Sequence, residues 1–163
     1  MNAIIKSLNK VFKLNKESIE APALRQKVRE VYSKAAINPR SKFPFPVGRT
    51  FAEQVGYPKK QLDSFPDQIS ESFVGVSNVS IFADIQEGSA VLDIGCGAGL
   101  DSIIAAQKTG EKGKVVGIDF SEEMVEKAKK AISLTSYKNI EFHNAPAESL
   151  PFQSRYFDVI LAN

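Results

Sequence analysis

Three glycines, Gly95, Gly97 and Gly99, fall within five positions directly after the apolar run AVLDI. Glycine adopts positive φ at no steric cost and leaves room where a Cβ would project, so such a cluster brings the main chain close to a ligand. Two carboxylates accompany it. Asp93 precedes the first glycine by two residues, and Asp119 follows the middle one by 119 − 97 = 22 residues, close to the roughly 20-residue offset at which an acidic side chain takes a ribose diol. The combination reads as a nucleoside site. The glycine register is GxGxG, and Leu100 stands where the dinucleotide pattern GxGxxG requires its third glycine. An acid just before the loop also opposes a pyrophosphate and suits a cationic amine. Cys96 sits inside the loop with no second thiol in the chain, and reads as a small structural residue. His143, the one histidine, has no nucleophile or carboxylate assigned to it by spacing and reads as an edge side chain.

The elements that must position these residues alternate from residue 88 onward. SAVLDIG, KVVGIDF, NIEFHNA and FDVILAN have the apolar runs of buried strands. Between them, LDSIIAAQKTG reads as a helix ending at Gly110, and SEEMVEKAKKAISL as a helix with Ser121 as its N-cap. Strands alternating with helices imply a parallel, Rossmann-like α/β sheet, in which ligands sit beyond the carboxyl ends of the strands. Upstream, Leu24, Val28, Val31, Tyr32 and Ala35 recur at helical spacing. Residues 38–80 carry five prolines and three glycines, and read as a loop-rich cover with short helices. The expected division is therefore a cover over residues 1–80 and a ligand-binding core over 81–163. The first stretch, MNAIIKSLNKVFKL, reads as a short basic amphipathic helix with two readings open: packing against its own domain or a partner, or contact with a membrane surface.

Composition narrows the classes further. The 163 residues are 43% hydrophobic and 25% charged with a formal charge of +2, which fits one ordinary globular core and gives no clustered basic grip on nucleic acid. One cysteine and one histidine rule out a disulfide framework and a zinc site of several soft ligands within the chain. No apolar run is long enough for a membrane span, and no secretory signal is evident. A reducing, cytoplasmic setting is expected.

Taken in order and at their spacing, VLDIGCGAGLDS, KVVGIDFSEEMVEKAKK, AESLPF and FDVILAN resemble the successive motifs of class I S-adenosylmethionine-dependent methyltransferases. The resemblance implies S-adenosylmethionine as cofactor and a small-molecule methyl acceptor. By it, the loop comprising Asp93, Gly95, Cys96, Gly97 and Gly99 lies beside the methionine portion, and Asp119 binds the ribose hydroxyls. Phe120 and Met124 would border the adenine, Ala147 and Glu148 its edge, and Asn163 the methionine moiety, with Tyr32 as a lid residue. Ala145 and Pro146 replace a glycine and an aspartate common in the family, which removes one usual carboxylate contact to the adenine. No catalytic residue is assigned, because a sulfonium leaves without protonation and positioning is the main contribution.

Residues 28–163 are most similar to the arsenite methyltransferase branch, but Val76 stands where that branch places a metal-binding cysteine. Arsenite methylation is not supported; quinone-like rings, small metabolites and metalloids stay open as acceptors, with metalloids demoted by Val76. The family's sheet has seven strands, so the chain is expected to be an N-terminal portion carrying four of them. The exposed fourth strand would then invite a homodimer or strand-exchanged oligomer. Two other readings are carried: a noncatalytic module derived from this fold, and an NAD-dependent oxidoreductase, which Leu100 disfavours.

Overall fold

Short segments rich in apolar residues form the strands, in the computed structural model that describes residues 21–163. They are β1 (Ala90–Ile94), β2 (Lys114–Asp119), β3 (Ile140–Asn144) and β4 (Val159–Ala162), all parallel, in the order β3-β2-β1-β4. Ahead of them run α1 (Ala21–Ile37) and four short helices, α2 (Arg49–Gln54), α3 (Lys59–Leu62), α4 (Asp67–Ser70) and α5 (Val79–Phe82). Within the sheet region, α6 (Leu100–Thr109) links β1 to β2, and α7 (Glu122–Ile132) links β2 to β3. The alternating strands and helices match the sequence reading of the fold, and the stretch MNAIIKSLNKVFKL lies outside the described residues.

Helix limits follow local chemistry. Gly99, at φ +91°, turns the chain into α6, and Gly110, at φ +67°, turns it out again. Ser121 caps α7, its hydroxyl accepting the Met124 N–H at 3.3 Å. Glu122 and Glu123 lie in the first turn of that helix and Lys129 and Lys130 in the last, matching the helix dipole at both ends.

The sheet is covered unequally. On one face Val91, Val115 and Leu161 pack against Ala105 and Ala106 of α6, while Phe142 packs against Val125 and Ala128 of α7. On the other, Leu92, Val116 and Ile118 are screened by Phe152 and Phe157, from the segment between β3 and β4. Those two rings meet edge to face at 5.0 Å. The cover shares its core with the sheet helices: Tyr57, Leu62, Phe65, Ile69 and Phe73 form one buried cluster with Leu100, Ile103, Ile104 and Ala131. The two regions therefore bury each other's apolar surface.

Register is what assembles the site. Ile94 pairs with Ile118 and with Ala162, so the residues that follow, Gly95, Asp119 and Asn163, emerge at one level. A single-residue slip would turn every one of these side chains to the opposite face.

Close packing fixes Gly117 in β2. A Cβ there would lie 2.6 Å from Phe142 Cδ1 and 3.0 Å from Cys96 Cβ. Gly117→Ala is expected to destabilise the chain by about 1–3 kcal/mol through overpacking, read as a lower urea midpoint at unchanged slope.

Candidate functional site

Beyond the carboxyl ends of the strands, the glycine loop bends back over β2. The N–H groups of Gly95 and Cys96 both donate to the Ile118 carbonyl, at 2.8 and 2.9 Å. Gly95 and Gly97 have φ of +74° and +52°, and a Cβ built on either meets no atom within 4 Å. Gly99 differs, because a Cβ there would lie 2.9 Å from Phe142 Cζ. The first two glycines thus face open space, while the third permits helix packing.

Asp119 ties this loop to the next helix. One carboxylate oxygen accepts the Gly97 N–H at 2.9 Å and the other the Ser121 N–H at 2.8 Å. A carboxylate has about four acceptor positions, so these bonds leave capacity for a ligand hydroxyl. Burial raises the Asp119 pKa, partly offset by the N–H groups of Ser121, Gly97 and Phe120.

Two hollows flank this point, one bordered by Asp119 and the other by Phe120. A cavity of about 60 Å³ lies between the glycine loop and the cover, bordered by Tyr32, Gly95, Cys96, Gly97, Asp119 and Asn163. A cleft of about 510 Å³ opens on the far side of Phe120, between Arg25, Val28 and Arg29 of α1 and the segment that contains Ala147 and Glu148. A larger hollow of about 680 Å³ lies at the amino ends of β2 and β3, beside Lys114 and Asn139, away from the glycine loop. In open parallel sheets ligands bind at the carboxyl ends, so the two smaller hollows form the candidate site.

Three of the sequence-selected residues border neither hollow. Asp93 is buried beneath the loop and accepts a hydrogen bond from the Ser102 hydroxyl. Met124 is fully enclosed by Ala35, Ala36 and Ala98, and Gly99 packs on Phe142. Asn163 borders the small cavity, but its side-chain amide is bonded to the cover: Oδ1 accepts the Val76 and Ser77 N–H groups, and Nδ2 donates to the Ser77 carbonyl and to Asp101. Cys96 turns its side chain toward Val125, Ala128 and Phe142, and burial raises its thiol pKa. His143 is exposed on β3, 3.4 Å from Glu141.

Helix α1 roofs the site. The Tyr32 ring lies 6.0 Å from Phe120 and 6.3 Å from Phe45, and its hydroxyl pKa is raised by burial and by the Asp119 charge. Arg29 stands over Phe120 at 6.0 Å. Arg25 pairs with Glu148 at 2.6 Å across the cleft mouth, with both side chains more than half exposed. At the other end of the helix, the largely buried Lys127 ammonium donates to the Ala36 carbonyl and to Ser72, and pairs with Glu71. Arg25, Arg29 and Lys127 escaped the sequence reading because charge on a helix reads first as a solvated face.

Asp101 also went unselected. It is buried in the first turn of α6 and accepts from Tyr57, Ser80 and Asn163. An aspartate among Leu100, Ile103 and Ile104 was the available signal, but an acid at a helix start is ordinary.

The arrangement resembles proteins of known chemistry. Residues 85–163 match a family described as a methyltransferase domain. An arsenite methyltransferase of Halobacterium salinarum is 33% identical over 112 residues, which are 69% of this chain and 28% of that protein. A demethylmenaquinone methyltransferase of Bacillus cereus is 40% identical over 77 residues, 47% of this chain and 32% of the relative. Among solved structures, an arsenic (III) S-adenosylmethionine methyltransferase from Chlamydomonas reinhardtii superposes with a TM-score of 0.50 at 24% identity, covering 72% of this chain and 39% of that one. The chain thus spans about a third or less of the length of these curated relatives.

Asp93 makes the site sensitive to pH. Its folded pKa rises from the ordinary 3.8 to about 7, chiefly by burial and then by the nearby Asp101 charge, with Ser102 opposing. Between those values the folded chain holds more protons than the unfolded one, so stability falls as pH rises through that window. Asp119 acts in the same direction. The urea midpoint is expected to drop as pH rises from about 4 to about 7, and Asp93→Asn to flatten that slope.

Proposed function

We propose that this chain, a member of the class I S-adenosylmethionine-dependent methyltransferases, holds the cofactor across the glycine loop with its ribose on Asp119. One observation carries the reading: the Asp119 carboxylate, bonded to the Gly97 N–H, faces the open space left by Gly95 and Gly97. Cleft volume and lining support placing the adenine beyond Phe120, against Ala147 and Glu148. Pro146 has no donor and no polar side chain there, so Glu148 would supply the carboxylate at that edge.

Charge supports the same assignment. Asp101 and Asp119 border the small cavity, and among the described residues no lysine or arginine does. A ligand with a net positive charge is favoured in such surroundings, whereas a pyrophosphate is not. About 60 Å³ holds only a few water molecules. Admission of the methionine end therefore requires Tyr32 and its part of α1 to shift, which makes that helix a lid over the site.

When bound, the cofactor supplies a methyl group on a sulfonium, whose departure needs no proton. The work left to the protein is orientation and exclusion of water. The glycine loop and Asp119 would hold the nucleoside, while Tyr32 and Phe45 roof the reacting end. The acceptor would approach from the side of Phe73, Val74 and Gly75, which border the cavity. These residues favour a small, largely apolar acceptor. A metalloid is disfavoured within this chain, because Val76 carries no thiol and the single cysteine packs into the core.

Calorimetric titration is expected to show binding of S-adenosylmethionine and S-adenosylhomocysteine and none of NAD. Asp119→Asn, which loses charge-assisted hydrogen bonds, should weaken that binding by about tenfold to a hundredfold. Equal affinity in the variant, or a preference for NAD, would remove the assignment. A methyl-transfer assay with apolar ring compounds then separates an enzyme from a noncatalytic module.

A further inference from the structure

We propose that Asp101 is a positioning residue: acting through Asn163, its buried carboxylate sets the Phe73–Ser77 segment as the wall facing the glycine loop. Calling that segment the acceptor wall rests on the function proposed above. The contacts themselves do not.

Asp101 is 6% exposed. One of its oxygens accepts from the Tyr57 hydroxyl at 2.6 Å, from the Ser80 N–H at 3.2 Å and from the Ser80 hydroxyl. The other accepts from Asn163 Nδ2 at 2.8 Å. An ionised carboxylate is acceptor-only, whereas a side-chain amide has a donor edge and an acceptor edge. Asp101 therefore dictates which way the Asn163 amide faces. With Nδ2 held toward Asp101, Oδ1 is presented to the Val76 and Ser77 N–H groups, both at 2.9 Å, while Nδ2 also reaches the Ser77 carbonyl at 2.7 Å. The amide thus acts as a surrogate strand partner for a segment outside the sheet.

Gly75 fits the same scheme, because a Cβ there would lie 2.6 Å from Asn163 Nδ2. Phe73, Val74 and Gly75 in turn border the small cavity opposite Gly95 and Gly97. One carboxylate thereby links the start of α6, the end of β4 and the wall.

Hydrogen exchange of the purified protein, without added ligand, tests this. Asp101→Asn removes the dictated orientation, and exchange at Val76 and Ser77 should rise about tenfold or more while the β1, β2 and β3 amides keep their protection. Asn163→Asp alone would set two carboxylates face to face and should be worse. Combining it with Asp101→Asn restores one donor facing one acceptor and should return part of the protection at both amides, a rescue that a merely structural loss would not give. Should the Asp101 variants fail to fold, Gly75→Ala displaces the amide from the other side and should raise exchange at the same two positions. Unchanged exchange at Val76 and Ser77, a rise spread evenly over the sheet, or a double variant no better protected than Asn163→Asp overturns the proposal. Titration with S-adenosylhomocysteine judges the cofactor reading separately: a chain that fails to bind it yet follows the exchange pattern keeps Asp101 in this role and loses only the acceptor assignment.

Discussion

Parallel pairing at a fixed register is the constraint on which the rest of this molecule depends. Ile94, Ile118 and Ala162 lie side by side in three adjacent strands, so whatever follows each of them is delivered to one end of the sheet at one height. Glycine follows the first, aspartate the second and asparagine the third. Each then binds something other than its own strand: Gly95 donates to the Ile118 carbonyl, Asp119 accepts from Gly97, and Asn163 holds Val76 and Ser77. The end of the sheet is therefore bonded into one surface by the protein's own groups.

The cover belongs to that surface as much as the strands do. Phe65, Ile69 and Phe73 share a buried cluster with Leu100, Ile103 and Ile104, which anchors the wall segment to the same helix that begins at the glycine loop. Helix α1 is attached less evenly. Lys127 secures its carboxyl end in largely buried surroundings, while its amino end is held across the cleft by an exposed pair, Arg25 and Glu148. Exposed ion pairs contribute little, about 0–1 kcal/mol.

Electrostatics distinguish this site from a phosphate cradle built on the same turn. Asp93, Asp101 and Asp119 are all buried around the start of α6 and the end of β2, and hydrogen bonds rather than basic side chains stabilise them. Burial without a counter-charge raises the pKa of Asp93 and Asp119 alike. A cationic ligand reverses that penalty and an anionic one deepens it.

Much of this was legible in the linear chain, because strands, helix caps and a glycine loop are written in short-range patterns. AVLDI and KVVGID have the near-continuous burial of strands covered on both faces. Ser121 caps and Gly110 terminates where each was expected. Gly95, Gly97 and Asp119 could be grouped by type and spacing alone, and the structure brings them together. What the sequence could not state was which partner each polar group would find. Asn163 looked like a ligand residue, yet its amide is committed to residues 87 and 86 positions away; Asp101 looked like a helix-start acid, yet it collects donors from Tyr57, Ser80 and Asn163. Sequence determined the elements and the turn that leaves open room beyond the strands, since those depend on neighbours a few residues apart. Only the tertiary structure decided which carboxylates face that room and which hold its walls, because that choice is made by hydrogen bonds between residues the chain keeps far apart.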